Sequence, residues 1–332
     1  MATTVIQAFN EFLADSVNLD PLIVPQARSS RDWLFAQLRK LHERHDDFPL
    51  PYEEKDMMYG SFARKTKIRD LDDIDLICTL HAEGSHYGEW AGELIITTPS
   101  TARLWRYCDD GTNRLNSRKV INTFVRRLSD VPQYRKAEIH RNGSAAVLGL
   151  TSYSWHFDIV PGFFTAQDAY GLTYYIIPNG QGGWMKTDPR IDRDRISQIN
   201  QYHSGHVLDI IRVLKYWNRR PTMPSASSYL LECIILDHFE ALRSEASQWV
   251  DVEIASVLQY ISSAILGSIQ DPKRIQGDIN LLGWEDRRKI SLRASSDAVT
   301  AAQARVAEVR GDHEESIGLW RDVFGGGFPS YG

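Results

Sequence analysis

Cysteine is scarce in this chain. The three cysteines, Cys78, Cys108 and Cys233, lie far apart in sequence and do not suggest a disulfide framework. Cytoplasm is the compartment this implies. No uninterrupted apolar run approaches the roughly 18 residues of a transmembrane helix, so no membrane contact is expected. The opening MATTVIQAFNEFLADSV carries acids and reads as an amphipathic helix, unlike a signal peptide. No long Pro/Ser linker or low-complexity run divides the 332 residues, and a hydrophobic content of 42% suffices for a sizeable core. Positive charge is also short. The net charge of −5 weighs against a large DNA or RNA footprint, which leans on a basic surface. A paired-cysteine zinc module is missing, and His42-x-x-His45, set among Glu43, Arg44 and Asp46, reads as a solvated helix face.

What is present is concentrated between Gly60 and Leu80, GSFARKTKIRDLDDIDLICTL. Asp73 and Asp75 flank Ile74 and precede an apolar run. On a strand they share one face, about 7 Å apart, while Ile74 and Leu76 turn to the core. Two carboxylates fixed on a rigid edge can hold a pair of divalent cations about 4 Å apart, the arrangement of two-metal phosphoryl transfer. Gly60 allows close backbone approach, and the Ser61 hydroxyl with nearby amides can bond phosphate oxygens. Asp70 and Asp72 read as loop acids, because the glycine and terminal glutamate of a calcium loop are missing.

A third acid lies in SWHFDIVP, where Asp158 is alone among aromatic and β-branched residues of a strand signal. Such a carboxylate is costly unless a cation or hydrogen-bond donors compensate it. Beside the Asp73/Asp75 strand it would join the metal cluster and accept the proton of an attacking ribose hydroxyl. Together these features imply a nucleotidyltransferase.

Positive charge gathers at Arg64, Lys65, Lys67 and Arg69, and again at Arg212, Lys215, Arg219 and Arg220, which suits a triphosphate better than a long polyanion. Lys215 borders the apolar stripe of Val207, Ile210, Ile211, Leu214 and Trp217, where it either presents its ammonium to a cleft or snorkels to solvent. Ser228 reads as a helix N-cap, with Pro224 before it and Glu232 four residues on, and a helix N-terminus also suits phosphate.

Gly60-Ser61, Thr66, Asp73-x-Asp75-Leu76 and Asp158-x-x-Pro161 resemble the cGAS/DncV-like nucleotidyltransferases, or CD-NTases, relatives of the oligoadenylate synthetases. Trp184 to Pro189, the helical Lys215, Ser228-Tyr229 and the closing Trp320-x-x-x-Phe324-Gly325 with Phe328-Pro329 are similar to the family's later segments. Residues 82 to 115 align poorly. The resemblance implies that Gly60, Ser61, Lys215 and Ser228 hold the donor triphosphate and that Tyr229 stacks its base. It implies two Mg²⁺ (or Mn²⁺) ions on Asp73, Asp75 and Asp158, with Thr187 and Asp188 candidates to read the acceptor. The substrates would be NTPs, ATP and GTP first. The product would be a cyclic di- or trinucleotide messenger, made in a bacterial anti-phage (CBASS) setting and switching on a downstream effector. A linear oligonucleotide synthetase, a transferase of NMP to protein and a catalytically silent nucleotide-binding protein are the rival readings.

The expected fold is α+β, a polymerase-beta-like mixed sheet over residues 1–190 with N-terminal bracing helices. A helical lobe over 191–332 would complete a bilobed chain with its active site in the cleft. Strand signals fall near 54–59, 73–80, 134–141, 144–150 and 155–160, with a helix over SRKVINTFVRRLSD. The tail FGGGFPSYG reads as flexible, and by the same resemblance Gly332 could be joined to targets by a ubiquitin-transfer-like ligase.

Overall fold

A computed structural model, which describes residues 2–332, places nine strands in one mixed sheet and, among the described residues, ten α-helices. The strands are β1 (Met57–Tyr59), β2 (Asp73–Thr79), β3 (His86–Trp90), β4 (Glu93–Thr97), β5 (Glu138–Asn142), β6 (Ala145–Gly149), β7 (His156–Phe164), β8 (Tyr175–Pro178) and β9 (Trp184–Thr187). Their order is β1-β2-β7-β8-β9-β4-β3, with β6 also on β7 and β5 on β6. The pairing of β2 with β7 is parallel and the remaining pairings are antiparallel. This is the mixed sheet expected, with β7 running past 160 through Pro161 and Gly162. A Cβ at Gly162 would lie 2.9 Å from Ile77 Cγ2, so the glycine permits the close approach of β7 to β2.

The chain divides into two compact units. The sheet unit comprises Leu22–Ala63 and Leu71–Pro189. Its helices are α2 (Ile23–Arg44), the single turn α3 (Gly60–Ala63) and α4 (Ser117–Leu128). In α2, Leu34, Phe35, Leu38 and Leu41 repeat at helical spacing and are buried. Asn116 caps α4 by accepting from the Arg118 and Lys119 amides, and Val120, Ile121, Phe124 and Leu128 form its buried face. The poorly alignable stretch 82–115 contains the β3–β4 hairpin and a short 3₁₀ helix, Arg103–Tyr107.

The helical unit is assembled from three pieces: the chain up to Pro21, Arg64–Asp70, and Arg190–Gly332. Its helices are α1 (Val5–Phe12), α5 (Pro189–Tyr202), α6 (Val207–Asn218), α7 (Ser228–Ala241), α8 (Val250–Ala264), α9 (Trp284–Val309) and α10 (His313–Phe324). Val207, Ile210, Ile211, Leu214 and Trp217 of α6 are buried as their spacing implies. The Trp217 indole donates to Asp297 at 2.7 Å, so a buried N–H and a buried carboxylate satisfy each other.

One expectation is corrected here. The tail is packed: Phe328 is buried against Phe9 and Phe12, with ring centroids 5.0 Å away in each case. Arg321 donates to the Phe328 carbonyl, and the Gly332 amide donates to the Ala2 carbonyl. Burial of one aromatic outweighs the freedom that three glycines lend the segment. His42 and His45 have separate partners on a partly exposed helix end: the His42 ring bonds the Arg39 carbonyl, and His45 lies 3.5 Å from Asp130. No helix among the described residues is long and apolar enough to cross a membrane.

Candidate active site

The sheet register assembles the acids. Asp75 pairs with Asp158 across the parallel β2–β7 ladder and with Tyr59 across the antiparallel β1–β2 ladder. Neighbouring strands lie about 4.8 Å apart, so Asp75 and Asp158 stand side by side on one face. The two-residue repeat carries Asp73 to the same face. Ile74, Leu76, Phe157 and Ile159, which alternate with the acids, are buried, whereas all three acids are only half-buried. His156 pairs with Asp73, and its Nε2 lies 3.5 Å from Asp158 Oδ1.

Tyr59 registers the field of this cluster. Burial first, and then the carboxylates of Asp75, Asp158 and Asp73, push its phenol well above the usual tyrosine range. The three carboxylates therefore act together on one hydroxyl. Nothing in the sequence marks Tyr59 beyond its place two residues before Ser61.

Gly60 has a steric role. Its φ is +72°, and a Cβ built there would fall 1.7 Å from Asp75 Oδ2. The missing side chain is the space that the carboxylate occupies. Gly60→Ala is therefore expected to displace Asp75 and lower turnover by about a hundredfold, the scale of an ångström-size misplacement. The left-handed backbone adds about 1–2 kcal/mol of destabilisation. Steady-state rates alongside a thermal melt check this, and near-normal turnover would refute the steric role. Ser61 follows Gly60 on α3, Thr187 ends β9, and the buried Asp188 comes directly after it.

Among the described residues, no three His, Cys, Asp or Glu side chains converge tightly enough to cage a metal ion. The donor set itself is what a hard divalent cation takes: carboxylate oxygens from three residues on one face of two hydrogen-bonded strands. In chemistry the residues suit a divalent cation such as Mg²⁺, although the three acids are not gathered to coordinating distance.

The other expected nucleotide contacts belong to the helical unit. Lys215 is buried, with its side chain 4% exposed, and neither snorkels nor stands on a stripe border. Its ammonium donates to Glu232 Oε1 at 2.8 Å, where the Thr66 hydroxyl also donates at 2.9 Å. Arg64 Nε donates to Glu232 Oε2 at 3.0 Å. Burial alone would raise the Glu232 carboxyl, but Arg64 and Lys215 together hold it below the usual range. Glu232 escaped the sequence reading as a site residue, although a lone acid inside the apolar run LLECIIL carries the same signal that marked Asp158.

Ser228 is not the cap. Ser227 accepts from the Leu230 amide at 3.2 Å, and Ser228 is the first residue of α7, with an exposed side chain. Tyr229 donates to Asp192 at 2.7 Å, and the Lys273 ammonium lies 4.2 Å from its ring centroid. Burial, with Asp192 and Asp271 nearby, pushes the phenol far up.

The two basic runs are largely engaged within the unit. Arg69 donates to the Asn18 and Ala14 carbonyls, Arg212 to Asp209 and the Lys65 carbonyl, Arg219 to the Arg69 carbonyl, and Arg220 to the Asp322 carbonyl. They brace the fold more than they offer free charge.

A mixed sheet with three acids on one face of two paired strands suits a nucleotidyltransferase, and the chain belongs to the cGAS/DncV-like nucleotidyltransferases. It is 43% identical over 336 residues, covering 100% of this chain and 99% of the relative, to a Bacillus cereus (strain VD146) protein described as a probable cyclic nucleotide synthase. A second relative, the cyclic AMP-AMP-AMP synthase of an Acinetobacter strain, is 24% identical over 179 residues, 52% of this chain and 50% of that protein. Escherichia coli MS115-1 CdnC, solved with ATP, shares the fold with a TM-score of 0.70 at 18% identity, over 97% of this chain and 98% of that one. No protein-family model matches the chain.

Proposed function

We infer that this protein condenses NTPs into a cyclic di- or trinucleotide with release of pyrophosphate. The observation that carries the reading is the register that sets Asp75 beside Asp158, with Asp73 two residues along, in a chain 43% identical to a cyclic nucleotide synthase over its full length. In this reading Asp73, Asp75 and Asp158 hold two Mg²⁺ ions. Such ions, when bound, lower the pKa of the acceptor hydroxyl and neutralise charge on the triphosphate. In the same reading Asp158 accepts the hydroxyl proton, and the His156 ring 3.5 Å away supports that role. Gly60 and Ser61 admit phosphate oxygens to the strand edge.

In the helical unit, Arg64 and Lys215 share one counter-charge, Glu232, so their cluster keeps a net positive charge for a triphosphate. The Ser228 hydroxyl opens α7, where backbone amides favour anions. Tyr229 stacks a base only on ring surface that Lys273 leaves open. ATP is the first substrate to try, since E. coli CdnC is solved with it. An effector that reads the product and an anti-phage setting belong to the same proposal. So does conjugation at Gly332, which requires drawing the tail from its bond to Ala2.

Incubation with α-³²P-labelled NTPs and Mg²⁺ or Mn²⁺ tests the reading. A phosphatase-resistant product supports the cyclase. Phosphatase-sensitive ladders would replace it with linear synthesis, and labelled protein would replace it with NMP transfer.

A further inference from the structure

The sheet ends at β3, whose five residues, HYGEW, are all exposed. Trp90 is 78% exposed, an unusual position for a large aromatic on a sheet edge. β3 turns into β4 through Ala91–Gly92, with φ of +50° and +81°, a two-residue turn of the type that matches strand twist. Such a turn makes the flanking residues, Trp90 and Glu93, a hydrogen-bonded pair. The alternation of antiparallel ladders then directs the backbone groups of His86, Gly88 and Trp90 at β4. Those of Tyr87 and Glu89 point outward along the free edge.

Native proteins usually blunt such an edge with proline, a bulge or unpaired charge. β3 has no proline, and the charge of Glu89 is spent on Lys186 of β9. The Tyr87 hydroxyl is tied to that of Tyr174 at 2.8 Å. Both contacts hold the face of β3 that carries residues 87 and 89. The opposite face, with His86, Gly88 and Trp90, is bare.

We propose that β3 is a self-association edge, paired antiparallel with β3 of a second copy about a two-fold axis at Gly88. The backbone hydrogen-bonding pattern of this edge is self-complementary. In that register Tyr87 faces Glu89 of the second copy and Glu89 faces its Tyr87, so each outward N–H meets a C=O in four hydrogen bonds. Gly88 meets Gly88 on the axis as a non-hydrogen-bonded pair, the closest approach in an antiparallel ladder at about 4.5 Å between Cα atoms. Each Trp90 lies opposite His86 of the other copy and beside the bare glycine, which gives each exposed indole a cross-strand neighbour. A second copy satisfies the outward donors and acceptors of this edge and gives each Trp90 a cross-strand partner at the same time. The sheet becomes continuous across the dimer.

Sedimentation velocity from about 1 to 100 µM, with cysteine cross-linking, tests this. The wild-type protein is expected to dimerise. Glu89→Pro removes an outward N–H without touching the β3–β4 ladder and should raise the dimer midpoint at least about tenfold. Glu89→Gln keeps that N–H and should leave the midpoint within about threefold. Gly88→Cys should form a disulfide-linked dimer under mild oxidation, because facing residues of such a pair lie within disulfide range. Trp90→Cys should not, since that register separates the two copies of residue 90 by four residues. The native cysteines are buried and leave the assay clean. A monomer at 100 µM with no cross-link at position 88 overturns the proposal. So does a dimer that Glu89→Pro leaves intact, or equal cross-linking at positions 88 and 90.

Discussion

Asp75→Asn is expected to lower product formation by about a thousandfold, the upper range for removing one preorganised electrostatic group, while the protein stays folded. Asparagine has nearly the shape of aspartate, so the space left by Gly60 is still filled. What disappears is one negative charge from a face where Asp158 stands on the next strand and Asp73 two residues away. Like charges this close oppose folding in the absence of cations, so without divalent metal the melting temperature should hold or rise. A site that trades stability for chemistry behaves this way. Turnover of labelled ATP and a metal-free thermal melt check both halves. Activity within tenfold of wild type would remove Asp75 from the mechanism. A melting temperature lower by several degrees would give it a structural role instead.

The second large effect concerns Glu232. Glu232→Ala leaves Arg64 and Lys215 without their shared counter-charge and the Thr66 hydroxyl without its acceptor. Removing one partner of a buried ion cluster costs about 3–5 kcal/mol, or about 10 °C in melting temperature for a unit of this size. Lys215→Met should cost less, because Arg64 and Thr66 still satisfy the carboxylate. The order, with Glu232→Ala worse than Lys215→Met, is the test. Equal losses would mean that the carboxylate is not the centre of the cluster. The acid limb follows from the same contacts. The Glu232 carboxyl is held below its ordinary value of 4.5. Its contribution is therefore complete above that value and is lost as pH falls through the depressed one. Glu232→Gln should flatten that limb of the stability curve.

The acids were legible in the sequence because strand alternation is a local rule. A carboxylate between buried aliphatics shows its face without any knowledge of its neighbours, and the parallel register then set Asp75 beside Asp158. Lys215 was half legible. Its helix and stripe follow from spacing, but its burial depends on Glu232, seventeen positions later on another helix. Ser227 and Ser228 are equivalent in composition, and one residue of phase decided which of them capped α7. The tail misled because glycine content reports backbone freedom and not what Phe328 can reach. The β3–β4 hairpin stayed hidden because its turn is Ala-Gly, without the usual asparagine or aspartate, and because its outer strand buries nothing.

The segment Arg64–Asp70 leaves the sheet unit just after Gly60–Ala63 and returns just before Asp73. Its seven residues supply Arg64 and Thr66 to Glu232. A gene cut at residue 190 would therefore yield two incomplete halves. The C-terminal product would retain Glu232 and Lys215 but lose two of the groups that neutralise and bond the carboxylate. It would also lose Phe9 and Phe12, which cover Phe324 and Phe328. The N-terminal product would carry those pieces with nothing to receive them. Neither unit is one continuous stretch of gene, so neither can be exchanged between relatives as a single cassette.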